Sequence, residues 1–180
     1  FKAIMTSADC ITGTDRVYDF SKQIKADIYV NIQGDEPLLN YKDIQKIIVL
    51  KKKYIDYVIN GMCSLGPEED PHNINIPIVL VNKSNQLIYI SRLAVPGFKN
   101  SHKISSIKYK KQVCIYAFPK KSLIDFVKLG KKTPLEELED IEILRFLELG
   151  YDVQMIEVSN VSLAVDVLED LKKVEDILNA

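Results

Sequence analysis

The sequence predicts an α/β domain with a mainly parallel sheet and an inserted antiparallel hairpin. Apolar runs rich in β-branched residues alternate with segments whose apolar residues recur every three or four positions. Such alternation is typical of βαβ units, which join parallel strands. Two short apolar runs, separated only by the polar residues 82–86, predict the hairpin. The 180 residues, 47% of them hydrophobic, suffice for one domain with a substantial core.

The first third of the chain alternates strands and helices. A short strand at about 2–6 leads through a polar loop to Thr12 or Asp15, either of which suits a helix N-cap. The next strand stops at Gly34-Asp35-Glu36-Pro37, because proline blocks its continuation. A second helix starts at about Lys42 and ends in Lys51–Lys53, which complement the negative end of its dipole. A strand follows at 57–62.

The remaining elements are predicted in the same way. A loop at 64–76 precedes the hairpin, and 94–108 is an irregular insertion. The other predicted elements are strands at 76–81, 87–90, 112–118, 153–158 and 163–166, and helices at 120–129, 140–149 (ending at Gly150) and 168–178.

Composition excludes several classes of function. The 24 basic and 25 acidic side chains nearly balance, so nothing indicates a nucleic-acid partner. No apolar run approaches the ~20 residues that cross a bilayer, so no membrane insertion is predicted. Cys10, Cys63 and Cys114 lack metal-ligand spacing and favour a reduced, cytoplasmic setting. His72 and His102 lie in polar segments without an acidic partner at useful spacing.

Two carboxylates directly follow a predicted buried strand. Open α/β sheets bind ligands at the carboxyl ends of their strands, and adjacent carboxylates such as Asp35 and Glu36 suit a hard cation such as Mg²⁺. A capped turn with solvated acids is the alternative. Asp166 ends the last short strand before a helix. It is either the N-cap of that helix or a second ligand to the same cation.

Two further groups point to anion binding. Helix N-termini offer free backbone N–H groups to anions, and Gly13 and Thr14 stand at such a position. Arg92 follows the second hairpin strand, where its guanidinium could clamp a carboxylate.

Motifs along nearly the whole chain resemble one enzyme family, the cytidylyltransferases that activate 3-deoxy-manno-octulosonate (CMP-KDO synthetases). Gln-Gly-Asp-Glu-Pro after a strand, with Gly-Thr-Asp-Arg some twenty residues earlier, is the most specific feature. The matching segments are 2–6, 12–16, 26–37, 87–92 with Pro96, 115–118, 142–145 and 164–166 with 168–171.

The resemblance implies a Rossmann-like nucleotidyltransferase fold of the nucleotide-diphospho-sugar transferase type and a place in lipopolysaccharide biosynthesis. It implies transfer of CMP from CTP to the anomeric hydroxyl of an ulosonic acid, with release of pyrophosphate. By position, Asp35 and Asp166 would be catalytic and hold Mg²⁺, and Gly13 and Thr14 would face the nucleotide. The implied sugar-binding residues are Arg16, Gln33, Arg92, Gln112, Tyr116 and Glu142.

The chain departs from the family pattern at its beginning. It starts at Phe1 in what looks like an interior strand, and the family's amino-terminal CTP-binding loop has no counterpart. We therefore expect residues 1–180 to be a single, N-terminally incomplete nucleotidyltransferase domain that is inactive by itself.

Smaller departures concern the sugar. Ser7, Cys10, Ile78 and Gln112 stand where the family has arginine, histidine, lysine and histidine, respectively, and Cys114 replaces a glycine. These changes favour a related ulosonic acid, such as an amino-substituted one. Two alternatives stay open: a nucleotidyltransferase for a different acidic sugar, and a non-catalytic relative that binds a sugar nucleotide.

The resemblance also implies a homodimer built on the hairpin and insertion at 76–108. Ile88, Ile90, Leu93 and Val95 alternate along a predicted edge and could form that contact. They could equally face the core.

Overall fold

A computed structural model describes residues 2–99, 108–159, 163–165 and 167–179. Six strands and six helices are found in these ranges. The strands are β1 (Tyr29–Ile32), β2 (Val58–Ser64), β3 (Ile78–Val81), β4 (Leu87–Ser91), β5 (Lys110–Phe118) and β6 (Val153–Glu157). The helices are α1 (Gly13–Gln23), α2 (Tyr41–Lys53), α3 (Lys120–Lys128), α4 (Pro134–Glu139), α5 (Ile143–Glu148) and α6 (Leu168–Leu178). None of the helices described is long and apolar enough to cross a membrane.

The six strands form one mixed sheet, in the order β4-β3-β5-β2-β6, with β1 also paired to β5. β2 pairs with β5 along one edge, while β3 and β1 pair with opposite ends of the other edge. Helices flanking a sheet confirm the α/β class. The sheet is nevertheless not mainly parallel, since β2–β6 is the one parallel pair among the described strands. Strand periodicity predicts strands but not their neighbours, and β5 runs antiparallel to β1, β2 and β3.

The two faces of the sheet carry separate apolar clusters. On one face, Tyr116 and Phe118 of β5 pack with residues of α3 and α5, and Phe118 stacks on Phe146 with ring centroids 5.4 Å apart. On the other face, Ile47 of α2 packs against Ile59 and Ile115. Two of the helices on the first face, α1 and α5, bring candidate site residues to the sheet.

A buried ion pair holds α4 and α5 together. Arg145 Nη2 donates to Glu136 Oε1 at 2.6 Å, and Arg145 Nη1 donates to the Phe126 carbonyl at 3.2 Å. Both charged side chains are almost entirely inaccessible to solvent. Because a buried charge is costly without a partner, this pair keeps α5, which begins directly after Glu142, against α4.

The local signals at helix ends and the hairpin are confirmed. Thr12, one of the two predicted N-caps, caps α1 in a capping box with Asp15. The cap of α2 is Asn40, which was not predicted. Gly150 follows α5 with a φ of 80°. β3 and β4 pair as the predicted antiparallel hairpin.

Several predicted elements differ in the structure. Residues 2–6 form no strand, and none of the described strands pairs with them. The helix predicted at 140–149 is the shorter α5, and α4 before it was not predicted; the two are separated at Asp140, whose φ is 51°. Residues 163–165 are irregular, and 100–107 of the insertion lie outside the described residues. On the predicted dimer edge, Ile88 and Leu93 are exposed whereas Ile90 is buried.

Candidate active site

The turn after β1 places the predicted metal ligand. The Glu36 N–H donates to the Gln33 carbonyl at 3.3 Å, and the Val165 N–H donates to the Asp35 carbonyl at 2.9 Å. Asp35 is exposed, and no side-chain hydrogen bond to it is seen in the described part of the chain. The hydrogen bond from Val165 brings the segment just before Asp166 against Asp35. Asp166 itself lies outside the described residues.

The donor chemistry at Asp35 fits Mg²⁺. Mg²⁺ prefers oxygen ligands, keeps several waters and is commonly bound by one or two carboxylates plus substrate phosphates. An exposed carboxylate such as Asp35 leaves room for both. No cluster of three or more metal-ligating side chains occurs among the residues that the structure describes. The metal site therefore stays a prediction that depends on Asp35 and Asp166.

The N-terminus of α1 holds a carboxylate of the chain itself. The Gly13 and Thr14 N–H groups donate to Glu142 Oε1 and Oε2 at 3.0 and 2.8 Å. These two N–H groups, for which a nucleotide contact is predicted, orient the Glu142 carboxylate in this structure. Its carboxylate also complements the positive end of the helix dipole.

Gln33 and Glu142 converge on Gly13. A Cβ at Gly13 would lie 3.3 Å from Glu142 Oε1, 3.6 Å from Gln33 Nε2 and 3.9 Å from Asn31 Nδ2. A Cβ here would therefore crowd the Glu142 carboxylate and touch the other two side chains, so the absence of a side chain at Gly13 leaves room for them at the helix end. The structure thus brings together two predicted sugar-binding residues, and adds Asn31.

Tyr116 and Gln112 form a second group on the same sheet. Asn31 of β1 and Asn60 of β2 lie directly opposite Tyr116 on either side of β5, so their side chains share one face. Gln112 Nε2 donates to Asn60 Oδ1 at 2.9 Å and to the Tyr116 hydroxyl at 3.3 Å. Sequence reasoning missed Asn31 and Asn60. The sequence signal that could have identified them is an asparagine in the middle of each apolar strand segment.

The two predicted arginines have different surroundings. Arg16 is exposed, and its Nη1 donates to Thr6 Oγ1 at 3.1 Å and to the Ser7 carbonyl at 3.2 Å. Arg92 donates to the carbonyls of Ile74, Glu139 and Asp140. The Arg92 guanidinium therefore ties the loop at Ile74 to the end of α4 in this structure.

Burial sets the electrostatics of the site. It raises the pKa of the Glu36 carboxyl, although the Cys114 N–H, which donates to Glu36 Oε1 at 2.6 Å, opposes the shift. Burial also raises the pKa of Tyr116 well above its usual value, and the nearby Glu142 charge adds to this. The pKa of the Cys114 thiol rises to about 12 for the same reason. Tyr116 and Cys114 are thus neutral hydrogen-bonding groups near pH 7.

The family follows from comparison with known proteins. Residues 1–156 match the model of a family described as cytidylyltransferase. The chain belongs to the cytidylyltransferase family.

Individual relatives of this cytidylyltransferase support the same family assignment. It is 35% identical to a 3-deoxy-manno-octulosonate cytidylyltransferase of Acidobacterium capsulatum over 178 residues, which cover 98% of this chain and 70% of the relative. It is also 35% identical to the enzyme of that name from Fusobacterium nucleatum, over 96% of this chain and 70% of the relative.

Solved structures show the same fold. A CMP:2-keto-3-deoxy-manno-octonic acid synthetase complexed with CTP superposes with a TM-score of 0.88 at 29% identity, over 99% of this chain and 72% of that one. A 4-diphosphocytidyl-2C-methyl-D-erythritol synthase from Anaerococcus prevotii superposes with a TM-score of 0.61 at 12% identity, over 99% and 70%. The predicted nucleotidyltransferase fold is confirmed.

Three cavities are lined by residues of the candidate site in this cytidylyltransferase. One, of about 390 Å³, is lined by Glu36, Lys111 and Gln112 together with the loop at 68–77 and residues of 163–173. A second, of about 360 Å³, is lined by Gly13, Arg16 and Glu142 among others. A third, of about 390 Å³, is lined by Gly13, Asn31 and Gln33 among others.

Proposed function

We propose that this cytidylyltransferase transfers CMP from CTP to the anomeric hydroxyl of 3-deoxy-manno-octulosonate and releases pyrophosphate. The observation that carries the proposal is the superposition of 99% of the chain on the CTP-complexed synthetase, at a TM-score of 0.88. The relatives that share its name support the same sugar. Gln33, Gly34 and Asp35 stand at the end of β1, where α/β sheets bind their ligands.

We assign the sugar to the polar groups beside Gly13. Gln33, Asn31, Glu142 and Tyr116 offer both donors and acceptors, which suits a polyhydroxylated acid. Arg16, exposed at the edge of the second cavity, would face the sugar carboxylate. In this proposal Arg92 acts indirectly, by holding the loop at Glu139 and Asp140 against Ile74.

The reaction needs positioning more than a reactive side chain. The anomeric oxygen forms a bond to the α-phosphorus of CTP while the bond to pyrophosphate breaks, and charge develops on the phosphate oxygens. Asp35 and Asp166 would hold Mg²⁺, which supplies neutralisation of that charge when bound. Gln33 and Glu142 would orient the sugar, and the buried Glu36 supports the turn through its bond from the Cys114 N–H.

Two further predictions belong to this proposal. The homodimer through 76–108 rests on the exposed Ile88 and Leu93 of the β4 edge. Light scattering at micromolar concentration tests it, and a monomer would remove it. The cytoplasmic setting is consistent with three cysteines that are all free.

Pyrophosphate release tests the activity. The full-length product of the gene that contains this chain is assayed with CTP, Mg²⁺ and a panel of ulosonic acids, including amino-substituted ones. We expect release with 3-deoxy-manno-octulosonate, lost on chelation of Mg²⁺. Asp35→Asn should lower kcat at least about 100-fold, because it removes a charged metal ligand. Asp27→Asn, an exposed aspartate before β1, is the matched control.

The outcomes of this assay separate the alternatives. Pyrophosphate release with another acid alone would rule out the proposed sugar and favour a nucleotidyltransferase for a different acidic sugar. No release with any acid, from a folded full-length protein, would favour the non-catalytic relative. Equal activity of Asp35→Asn and Asp27→Asn would remove Asp35 from the metal site.

A further inference from the structure

Asn60 is a polar side chain in the interior of an apolar strand. It is fully buried in β2, between Ile59 and Met62, which are also fully buried. Its Nδ2 donates to the carbonyls of Val113 and Ile115, each at 3.0 Å. The β2–β5 register shifts at Asn60 and Gly61, and the Asn60 amide pairs with carbonyls beside this irregularity.

The backbone determines which way the Asn60 amide points. A carbonyl oxygen only accepts hydrogen bonds, so the atom facing Val113 and Ile115 must be the nitrogen. The Asn60 oxygen therefore faces Gln112. Because that oxygen also only accepts, the Gln112 atom 2.9 Å away must be Nε2.

The same argument leaves one atom of Gln112 available. The two hydrogens of Nε2 are directed to Asn60 Oδ1 and the Tyr116 hydroxyl. Within the described ranges Oε1 has no hydrogen-bond partner, and Gln112 lines the cavity of about 390 Å³ beside Glu36. A ligand that reaches Gln112 there meets an acceptor.

We propose that Asn60 is a positioning residue that holds the Gln112 amide with its oxygen toward the sugar, so that Gln112 accepts a hydrogen bond from a sugar hydroxyl. This inference rests on the proposed function. Asn60 itself is buried, so it acts through Gln112. Binding of the sugar then depends on Asn60, whereas binding of CTP does not.

A double-mutant cycle tests the inference. Asn60→Leu and Gln112→Met remove the hydrogen bonds at similar side-chain size, and KM for 3-deoxy-manno-octulosonate and for CTP are measured for each variant and for both together. We expect each single change to raise the sugar KM about tenfold, the size of one hydrogen bond. The double variant should match Gln112→Met alone, with the KM for CTP unchanged.

A buried glutamine elsewhere is the control for a merely structural effect. Gln154 of β6 donates to the carbonyls of Ser84 and Asn85 in the hairpin turn, and not to Asn60 or Gln112. Gln154→Met should lower the melting temperature without changing the sugar KM. Multiplying effects in the double variant, or equal changes in both KM values for Asn60→Leu, would overturn the inference. A wild-type protein without sugar-dependent release would refute the proposed function instead.

A second variant keeps the test decisive if Asn60→Leu does not fold. Gln112→Glu places a carboxyl opposite the Asn60 oxygen, and only its protonated form can donate there. We therefore expect the sugar KM of Gln112→Glu to rise with pH between 5 and 8 relative to the wild type. A sugar KM ratio that is independent of pH would contradict the assigned orientation.

Discussion

Glu142 is the carboxylate on which the candidate site is built. Its two oxygens accept the Gly13 and Thr14 N–H groups at 3.0 and 2.8 Å, at the start of α1. We predict that Glu142→Gln lowers both the stability of the fold and the affinity for the sugar. The amide retains one acceptor, but its NH₂ group faces one of the two N–H donors, which then loses its partner.

The size of the effect follows from these contacts. A hydrogen bond to a charged group contributes about 1.5–3 kcal/mol, and a carboxylate at a helix N-terminus about 0.3–1 kcal/mol more. Since one bond survives and Glu142 is partly accessible to water, we expect a loss of about 2 kcal/mol in the free energy of unfolding. In a domain of this size that corresponds to roughly 4–8 °C in melting temperature.

Denaturant unfolding and pyrophosphate release measure the two effects on the same preparations. Glu137→Gln, an exposed glutamate in the first turn of α4, is the matched control: it should leave pyrophosphate release unchanged and cost only the dipole contribution of about 0.3–1 kcal/mol or less. The reasoning is refuted if Glu142→Gln unfolds within 0.5 kcal/mol of that control, about the scatter of surface substitutions. In that case the N–H groups of α1 do not depend on Glu142.

Three other changes test the packing around the site. Gly61→Ala places a methyl group 2.6 Å from a buried β5 side chain and should cost about 1–3 kcal/mol in urea unfolding, whereas Gly97→Ala, with open space around it, should cost little. Lys51 is buried, and burial lowers its pKa to about 8. The cost of Lys51→Met relative to the exposed Lys52→Met should therefore grow by up to about 1.4 kcal/mol per pH unit above pH 8, because the unfolded chain keeps the proton to higher pH. Glu36 has a raised pKa, so its stabilising contribution is complete below pH 4.5 and is lost as the pH rises; Glu36→Gln should gain stability relative to the wild type between pH 4.5 and 7.

Each of these changes has a result that would contradict its premise. Equal urea midpoints for Gly61→Ala and Gly97→Ala would mean that β2 and β5 move apart without cost. A pH-independent difference between Lys51→Met and Lys52→Met would mean that water reaches the Lys51 ammonium. If Glu36→Gln follows the wild type at every pH, the carboxyl is not desolvated in the fold.

Sequence patterns predicted local structure best where the cause is local. Thr12 and Asp15 lie close enough in sequence to form the capping box of α1 whatever surrounds them. The polar turn at 82–86 likewise closes on itself, since the Asn85 N–H donates to the Asn82 carbonyl and the Asn82 N–H to the Gln86 carbonyl, and it connects β3 to β4. The strand predicted at 2–6 was wrong because a strand depends on a partner that periodicity does not specify.

The site residues divide in the same way. The turn at Gln33–Glu36 was predictable, since glycine and proline after an apolar run end a strand at that point. The roles of Asn31 and Asn60 were not, since each depends on lying opposite Tyr116 in the sheet. Gly13 and Thr14 were assigned to the nucleotide, because nothing local indicated that Glu142, 128 residues or more away, would reach them.

The sequence by itself determined the α/β class, the helix caps, the hairpin and, through its motifs, the family to which the chain belongs. Only the tertiary structure decided that β5 lies antiparallel at the centre of a mixed sheet, that Glu142 occupies the N-terminus of α1, and that Asn60 orients Gln112. The physical reason is the range of the interactions. Caps and turns are made by neighbours in the chain, whereas strand pairing and buried hydrogen bonds join residues that only the folded chain brings together.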